Sequence, residues 1–433
     1  TKMIIKLIVI LFTLYGIKVI LFDRNGIANS FKWIILAFIL GYRTFTPFAG
    51  LKIHPIEIFI YSTIIRIIIS GVPKYRDMPK SILVLSILFI SYFFIDLLTR
   101  YNSIALIEFK NASLLFLIFF IAQYIVFNKK YIIDLFKNYL IAATLISILG
   151  IIEYLFEPFM ESLFGFQGQG NINANSILFS RLAFLYWGSH LAANLIPPVF
   201  PIILLLKSEN DKILVNNFFL TFLIIINLVA IYLSGNRISW LILTIYLIIL
   251  LFQFKNSLIP YLKLYILVIT TSFILYIYSQ PVEGRYVSTF KALVGNIDIK
   301  YDSSGGARII RAKNAISSII DEPFGTGWGS QGWVHSDVLQ MASSIGIIPG
   351  LIFLIVPILL LYNLYKNYNS AEIKDKAIFF TCFGTLVYVI ISFILNGNIL
   401  KVQTGVPLFI LWVISQNYYQ SNNQISKDYG KFY

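Results

Sequence analysis

Charged residues are scarce in this sequence. Lysine, arginine, aspartate and glutamate make up 12% of the 433 residues, whereas 58% are hydrophobic and the mean hydropathy is +0.80. A soluble globular domain is usually about one-quarter charged, so the composition excludes an ordinary soluble protein and indicates an integral membrane protein. The apolar residues form runs of about twenty, which is typical of membrane-spanning helices and excludes the alternating strands of an outer-membrane barrel.

Cysteine and histidine are also scarce. The single cysteine, Cys382, lies in an apolar run, so an internal disulfide is excluded and a thiolate metal site is not expected. Three histidines are too few to favour a multi-histidine metal site, and we predict neither a metal nor a cofactor. The first apolar segment contains Lys6 and Lys18 and lacks a small-residue cleavage site, so we do not interpret it as a removed signal peptide.

Positive charge nevertheless predominates, with a net charge of +14. Much of it lies in short loops between apolar runs, where lysine and arginine fix the orientation of a membrane protein. We prefer this topological explanation to a nucleic acid partner. The basic loops include 71–80, 128–137, 207–212, 254–263 and 366–376, which we expect in the cytoplasm together with the C-terminus.

We predict an all-α polytopic integral membrane protein with about twelve or thirteen transmembrane helices, forming a single membrane domain over 1–433. The side of the N-terminus stays open. A shorter loop at 157–182 and a long loop at 280–336 are then periplasmic, and the long loop contains an amphipathic helix. The candidate spans lie near 4–22, 31–48, 54–70, 80–98, 103–127, 132–155, 183–206, 214–233, 237–253, 259–279, 337–364, 377–395 and 404–420.

The amphipathic helix of the long loop has start and stop signals. Ser303 or Ser304 can cap it, and Pro323 and Gly325 end it. Arg308 and Arg311 lie at the edge of its apolar face, so the helix suits the membrane surface or the mouth of the bundle. The two guanidinium groups bind either lipid headgroups or the phosphate oxygens of a substrate. The apolar face consists of Ile309, Ala312, Ala315, Ile316, Ile319 and Ile320.

His335 directly precedes the next apolar segment. Ser336 is a suitable N-cap, which puts the imidazole at a helix N-terminus, where the positive dipole favours the neutral ring. A neutral imidazole can take a proton from a sugar hydroxyl as a general base. Asp337 can instead hold the second ring nitrogen or act as the base itself. A structural role for an interfacial histidine is the alternative.

Two further arginines are candidates on the same predicted side. Arg237 follows the three-residue turn 234–236 and begins a span. The dipole of that helix disfavours a cation at its N-terminus. An anionic substrate or the phosphates of lipid headgroups would therefore stabilise the arginine there. Arg285 lies in the long loop and contacts either substrate or lipid.

A third candidate region is the stretch that contains Arg181, His190 and Asn194. It runs into a helix that prolines interrupt, at positions 197, 198 and 201. Irregular backbone at membrane depth is tolerated where it is buried in protein or lines a cavity. The three side chains are therefore candidates for substrate binding, with a kinked span and a buried histidine as the alternative.

Several of these stretches occur in an order that resembles one known family. They are, in chain order, YLSGNRISWLILTIYLIILLF (232–252), GGARIIRAKNAISSIIDEPFGTGWGS (305–330) and HSDVLQMASSIGIIPGLIFLIV (335–356), with a looser similarity at 171–198. The ordered set resembles the bacterial O-antigen ligase/polymerase membrane family. One departure is the pair Ser336 and Asp337, where that family often has an asparagine directly after the histidine.

The resemblance implies a metal-independent glycosyltransferase of the bacterial inner membrane, with its active site facing the periplasm. Such proteins take a glycan from undecaprenyl diphosphate and pass it to a sugar hydroxyl. By matched position, Arg237 and Arg308 would bind the diphosphate and His335 would activate the acceptor. Fixed guanidinium groups stabilise the charge that develops on a leaving diphosphate. The implied partners are an undecaprenyl-diphosphate-linked oligosaccharide and membrane lipids, with a chain-length regulator as a further candidate.

Three functions are compatible with these features. We prefer an O-antigen polymerase, whose acceptor is another lipid-linked repeat unit. An O-antigen ligase would share the donor and would transfer the glycan to lipid A–core. A lipid-linked oligosaccharide flippase should show charges inside its spans and two related halves, whereas here the polar residues collect on one face.

Overall fold

The computed structural model describes residues 2–40, 45–48, 51–99, 103–155, 195–209, 217–234, 239, 241–246, 303–327, 334–370, 373–396 and 402–429. These residues are helical almost throughout, as the sequence predicts. The helices are α1 (Lys2–Phe22), α2 (Gly26–Leu36), α3 (Pro55–Ser70), α4 (Lys80–Thr99), α5 (Ser103–Ala122), α6 (Lys129–Leu155), α7 (Val199–Ser208), α8 (Asn217–Ser234), α9 (Ser303–Asp321), α10 (Asp337–Ile345), α11 (Ile347–Ser370), α12 (Ile373–Leu395) and α13 (Val402–Tyr429).

Three of the described helices are long and apolar enough to cross a membrane. These segments are Lys129–Ile152, Ile347–Lys366 and Lys376–Leu395. Shorter apolar helices are Leu7–Phe22, Gly26–Leu40, Lys80–Tyr92, Phe109–Ala122, Val199–Ser208 and Phe218–Ile231. The structure therefore agrees with a helical membrane protein. The number of spans stays a prediction, because the candidate spans near 183–206, 237–253 and 259–279 lie wholly or partly outside the described residues.

The predicted span near 31–48 is wrong in its second half. Helix α2 ends at Leu36, a 3₁₀ turn covers Ala37–Leu40, and a short antiparallel hairpin follows. Its strands are β1 (Phe45–Phe48) and β2 (Leu51–Ile53), with Phe45 opposite Ile53. Pro47 cannot continue a helix, and the aromatic and β-branched residues around it favour an extended chain.

The predicted span near 337–364 is two helices rather than one. Gly346 separates α10 from α11 with φ at +107°, a conformation that L side chains rarely adopt. A Cβ atom at Gly350 would lie 2.7 Å from the Cβ atom of Ala342, so the two helices also pack closely beside the break. Pro349 fits the first turn of α11, where a missing N–H costs nothing.

Contacts bring several of the predicted basic loops to one end of the helices. The segments 71–80, 123–129 and 207–209 and the middle of α13 meet there through hydrogen bonds and one ion pair. These contacts are Tyr75 N to Gln123 O (2.9 Å), Arg76 Nη1 to Asn417 Oδ1 (3.0 Å) and Lys129 Nζ to Glu209 Oε1 (3.1 Å). The loops that the charge pattern assigns to one side of a membrane therefore lie at a common end.

The proline-interrupted region is buried in protein, which is one of the two settings that the sequence allows. Helix α7 begins at Val199, after Pro197 and Pro198, and residues 195–200 are all buried. Two backbone carbonyls of this region accept hydrogen bonds from other helices. The donors are Tyr139 Oη, 3.0 Å from Leu195 O, and Thr381 Oγ1, 3.0 Å from Pro201 O.

An aromatic cluster joins the helices that follow the break. Phe353 of α11 contacts Phe393 of α12, with ring centroids 4.6 Å apart, and Phe409 contacts Trp412 within α13 at 5.5 Å. Phe393 also lies 6.0 Å from Trp412. Aromatic pairs at these distances add to the stabilisation from burial. The cluster therefore braces α11 and α12, the two helices on which α10 packs.

Candidate functional site

The predicted amphipathic helix is confirmed as α9, which ends at Asp321. The turn that ends it contains Pro323 and Gly325, as predicted. Helix α9 already includes Ser303 and Ser304, so neither lies before the helix as a cap. Arg308 is half-buried, whereas Arg311, one turn later, is exposed.

The predicted apolar face of α9 is divided between two directions. Ala315 is fully buried, and Ile309 and Ile319 are half-buried. Ile316 and Ile320 are exposed, the latter to 74%, and Phe324 in the following turn is 76% exposed. Part of the predicted apolar face is therefore covered by protein, and part of it is exposed. We define the exposed ridge as Ile316, Ile320 and Phe324.

The turn after α9 is fastened to the junction between α10 and α11. Thr326 N and Gly327 N donate to the carbonyls of Ser343 and Ser344, both at 2.9 Å. Ile347 N, at the first residue of α11, donates to Pro323 O at 3.0 Å. The turn thus satisfies carbonyls in the last turn of α10 that have no partner within that helix. It also fixes the end of α9 against the start of an apolar span.

Gly325 makes this close approach possible. Its φ is +91°, and a Cβ atom at this position would lie 2.5 Å from Ser344 O. The sequence identifies Gly325 only as a helix stop. Its second role, as a residue that lets two backbones touch, depends on tertiary packing and has no local signal.

His335 is held at the entrance to α10 in an unusual backbone conformation. Its φ is +51°, in the left-handed region that costs a non-glycine residue roughly 1–2 kcal/mol. Ser336 is the N-cap, as predicted, and its hydroxyl accepts from Leu339 N at 3.4 Å. On the other flank, Val334 N donates to Gln340 Oε1 at 2.9 Å. Both neighbours are therefore fixed, and the imidazole is half-buried between them.

Asp337 is oriented into the protein rather than toward solvent. Its side chain is fully buried, and its backbone N–H donates to Asn396 O at 3.1 Å. Asn396 follows α12, at the opposite end of that helix from the basic loop 366–376. The start of α10, which follows the predicted periplasmic loop 280–336, and the end of α12 therefore lie together. Sequence reasoning missed Asn396 and Gln340, whose polar side chains near span ends are the only available signals.

Arg311 and His335 are in direct contact. The Nη1 atom of Arg311 lies 3.3 Å from the Nε2 atom of His335. A guanidinium group can only donate, so Nε2 must carry the lone pair, and a neutral ring then has its proton on Nδ1. This geometry fits the neutral imidazole that the helix N-terminus predicts. Helix α9 therefore brings one cation onto the candidate base, with Arg308 one turn away.

Several predicted site residues lie outside the described residues. These are Arg237, Arg285, Arg181, His190 and Asn194. The predicted loop at 157–182 also lies outside them, and the loop at 280–336 is described only over 303–327 and 334–336. Of the predicted site, the structure places Arg308, Arg311, His335 and Asp337, and all four lie on α9 or at the start of α10.

Neither models of known families nor curated proteins match this chain. The candidate site is therefore defined by the geometry of α9 and α10. Within the described part of the chain, no three histidine, cysteine, aspartate or glutamate side chains are grouped as metal ligands would be.

Proposed function

We propose that this chain is a metal-independent membrane glycosyltransferase that polymerises a surface polysaccharide. It takes a glycan from undecaprenyl diphosphate and transfers it to a sugar hydroxyl of another lipid-linked repeat unit, on the periplasmic face of the inner membrane. The observation that carries the proposal is the contact between Arg311 and His335, 3.3 Å, on a helix that also bears Arg308. A base beside anion-binding groups is the arrangement that such a transfer needs.

The proposed reaction transfers one proton and exchanges one bond at the anomeric carbon for another. The acceptor oxygen attacks the anomeric carbon of the donor, and its proton passes to Nε2 of His335. The bond from that carbon to the diphosphate breaks, and its electron pair goes to the phosphate oxygen. Arg308 and Arg311 balance the negative charge that develops there, and Arg237 is the proposed third cation.

The position of the site relative to α11 supports a lipid-linked donor. Pro323 O accepts from Ile347 N at 3.0 Å, so the end of α9 lies at the beginning of an apolar span. A polyprenyl chain stays in the bilayer and presents its diphosphate at the membrane surface. A site at the end of a span therefore meets the diphosphate without extracting the lipid.

The test compares glycan chain length in strains that carry single substitutions. We expect His335→Ala and Arg308→Ala to abolish long-chain glycan while the protein remains in the membrane at normal amounts. Lys313→Ala is the matched control, because it removes an equal charge from an exposed position of the same helix. Normal chain lengths in the first two variants would contradict the proposal.

A deletion strain separates the polymerase from the ligase and the flippase. Lipid A–core that carries a single repeat unit indicates a lost polymerase. Bare core with polymer accumulated on the periplasmic lipid carrier indicates a lost ligase, and repeat units trapped on the cytoplasmic face indicate a lost flippase. Either of the last two results would replace the polymerase proposal.

A further inference from the structure

The lone pair of the candidate base is already occupied. Arg311 Nη1 lies 3.3 Å from His335 Nε2 and can only donate to it. In this arrangement Nε2 cannot also accept a proton from a sugar hydroxyl. The other ring nitrogen does not replace it, because a proton on Nε2 would face the donating guanidinium group.

Of the two partners, Arg311 is the one that can move. His335 has a left-handed backbone between two fixed neighbours, since Val334 N bonds to Gln340 and Ser336 caps α10. Arg311 is a long, exposed side chain on the surface of α9. Its guanidinium group can leave Nε2 by side-chain rotation, without any change in the backbone.

We propose that Arg311 is a positioning residue that caps His335 Nε2 until an isoprenyl diphosphate draws it away. The proposal rests on the proposed function, because it names the ligand that releases the base. An imidazole nitrogen is a neutral acceptor, whereas a diphosphate offers charged oxygens that a guanidinium fork binds in a bidentate way. The diphosphate therefore competes successfully for Arg311.

The exchange couples donor binding to activation of the base. Without the donor, Arg311 holds the ring in one tautomer and one orientation. With the donor, Arg311 moves to the phosphate oxygens, and Nε2 becomes available to accept the hydroxyl proton. Donor binding must then precede acceptor activation.

The experiment measures how fast diethyl pyrocarbonate acylates His335. This reagent attacks an imidazole nitrogen whose lone pair is available, and mass spectrometry of the full chain in nanodiscs gives the rate for each histidine. His54 is fully buried and serves as the unreactive internal reference.

Substitutions at Arg311 should change the acylation rate in a graded way. We expect Arg311→Ala to raise the His335 rate at least about threefold, as the loss of a modest hydrogen bond implies. Arg311→Lys should give a rate between those of the unaltered chain and Arg311→Ala, because an ammonium group keeps the charge but lacks the planar fork. Lys313→Ala is the charge control: it removes an equal charge from an exposed position of α9 and should leave the rate unchanged.

The release is tested with inorganic pyrophosphate as the probe. We expect pyrophosphate to accelerate acylation of His335 in the unaltered chain and to have no such effect in Arg311→Ala. Equal acylation rates of His335 in the unaltered chain and in Arg311→Ala, measured without pyrophosphate, would show that Arg311 does not cover Nε2. If pyrophosphate leaves the rate unchanged or lowers it, a diphosphate does not draw Arg311 away.

Two lipid compositions distinguish a diphosphate from lipid headgroups as the ligand of Arg311. Acylation of His335 should be equally fast in nanodiscs of phosphatidylcholine and of phosphatidylglycerol. Faster acylation in phosphatidylglycerol would mean that lipid headgroups, rather than a diphosphate, draw Arg311 away. The cap is measured without donor, acceptor or activity. It can therefore stand if the glycan test contradicts the proposed function, and it can fail while that function holds.

Discussion

Replacing Lys110 by methionine should destabilise the protein, because it removes the positive charge beside a buried carboxylate on another helix. Glu57, in the first turn of α3, has a side chain only 5% exposed. Its Oε2 atom accepts from Lys110 Nζ at 2.9 Å, and its Oε1 atom accepts from His54 N at 3.3 Å. Lys110→Met leaves the carboxylate buried with its backbone hydrogen bond but without its counter-charge.

The expected loss follows from the burial of the two partners. Removing one member of a fully buried ion pair costs roughly 3–5 kcal/mol. The Lys110 side chain is 30% exposed, so water already screens part of the interaction, and we expect a loss of about 2–3 kcal/mol. Glu57→Gln in the same chain should recover much of that loss, because it removes the uncompensated charge.

The assay is the free energy of unfolding of the full chain in mixed micelles, for both single variants and the double variant. Lys74→Met is the matched control, because Lys74 Nζ also lies 2.9 Å from a carboxylate, that of Asp77. That pair is exposed to water, which screens it, so its loss should change stability far less. Equal effects of Lys110→Met and Lys74→Met would refute the reasoning from burial.

Two other predictions concern α9 and its turn. Gly325→Ala should destabilise the protein more than Gly71→Ala and should also reduce glycan transfer. Both glycines have positive φ, but a Cβ atom at Gly325 would lie 2.5 Å from a backbone oxygen, whereas Gly71 faces open space. Unfolding measurements that give equal costs would contradict a specific role for the turn. The second prediction uses nitroxide labels in a chain whose buried Cys382 is replaced. A nitroxide at Phe324 should be accessible to oxygen and shielded from a water-soluble nickel reagent, and one at Asn314 should show the reverse. Equal nickel accessibility at both positions would exclude insertion of the ridge into the bilayer.

Local signals in the sequence predict the features that depend on a few neighbouring residues. Ser336 as a cap, the end of α9 shortly before Pro323 and the break before Val199 each follow from the chemistry of one or two residues. Long apolar runs likewise predict helices, because backbone groups in a membrane must be satisfied within the segment.

Features that depend on packing were not predictable in this way. The sequence places Arg308 and Arg311 side by side, but only the docking of α9 on α10 decides that Arg311 contacts His335. The break at Gly346 also lacks a clear local signal, since isolated glycines are common in membrane helices. Helical spacing also cannot tell which part of the apolar face of α9 a neighbouring helix will cover and which part will stay exposed, as Ile316 and Ile320 do.

The fastening of α9 to the start of α11 has a mechanical consequence. A membrane helix adjusts its tilt to the thickness of the surrounding bilayer. Because Ile347 N and Pro323 O are bonded at 3.0 Å, a tilt of α11 must carry the end of α9 with it. The depth of the end of α9 in the membrane is thereby linked to hydrophobic mismatch, so the thickness of the bilayer becomes a variable of the site itself.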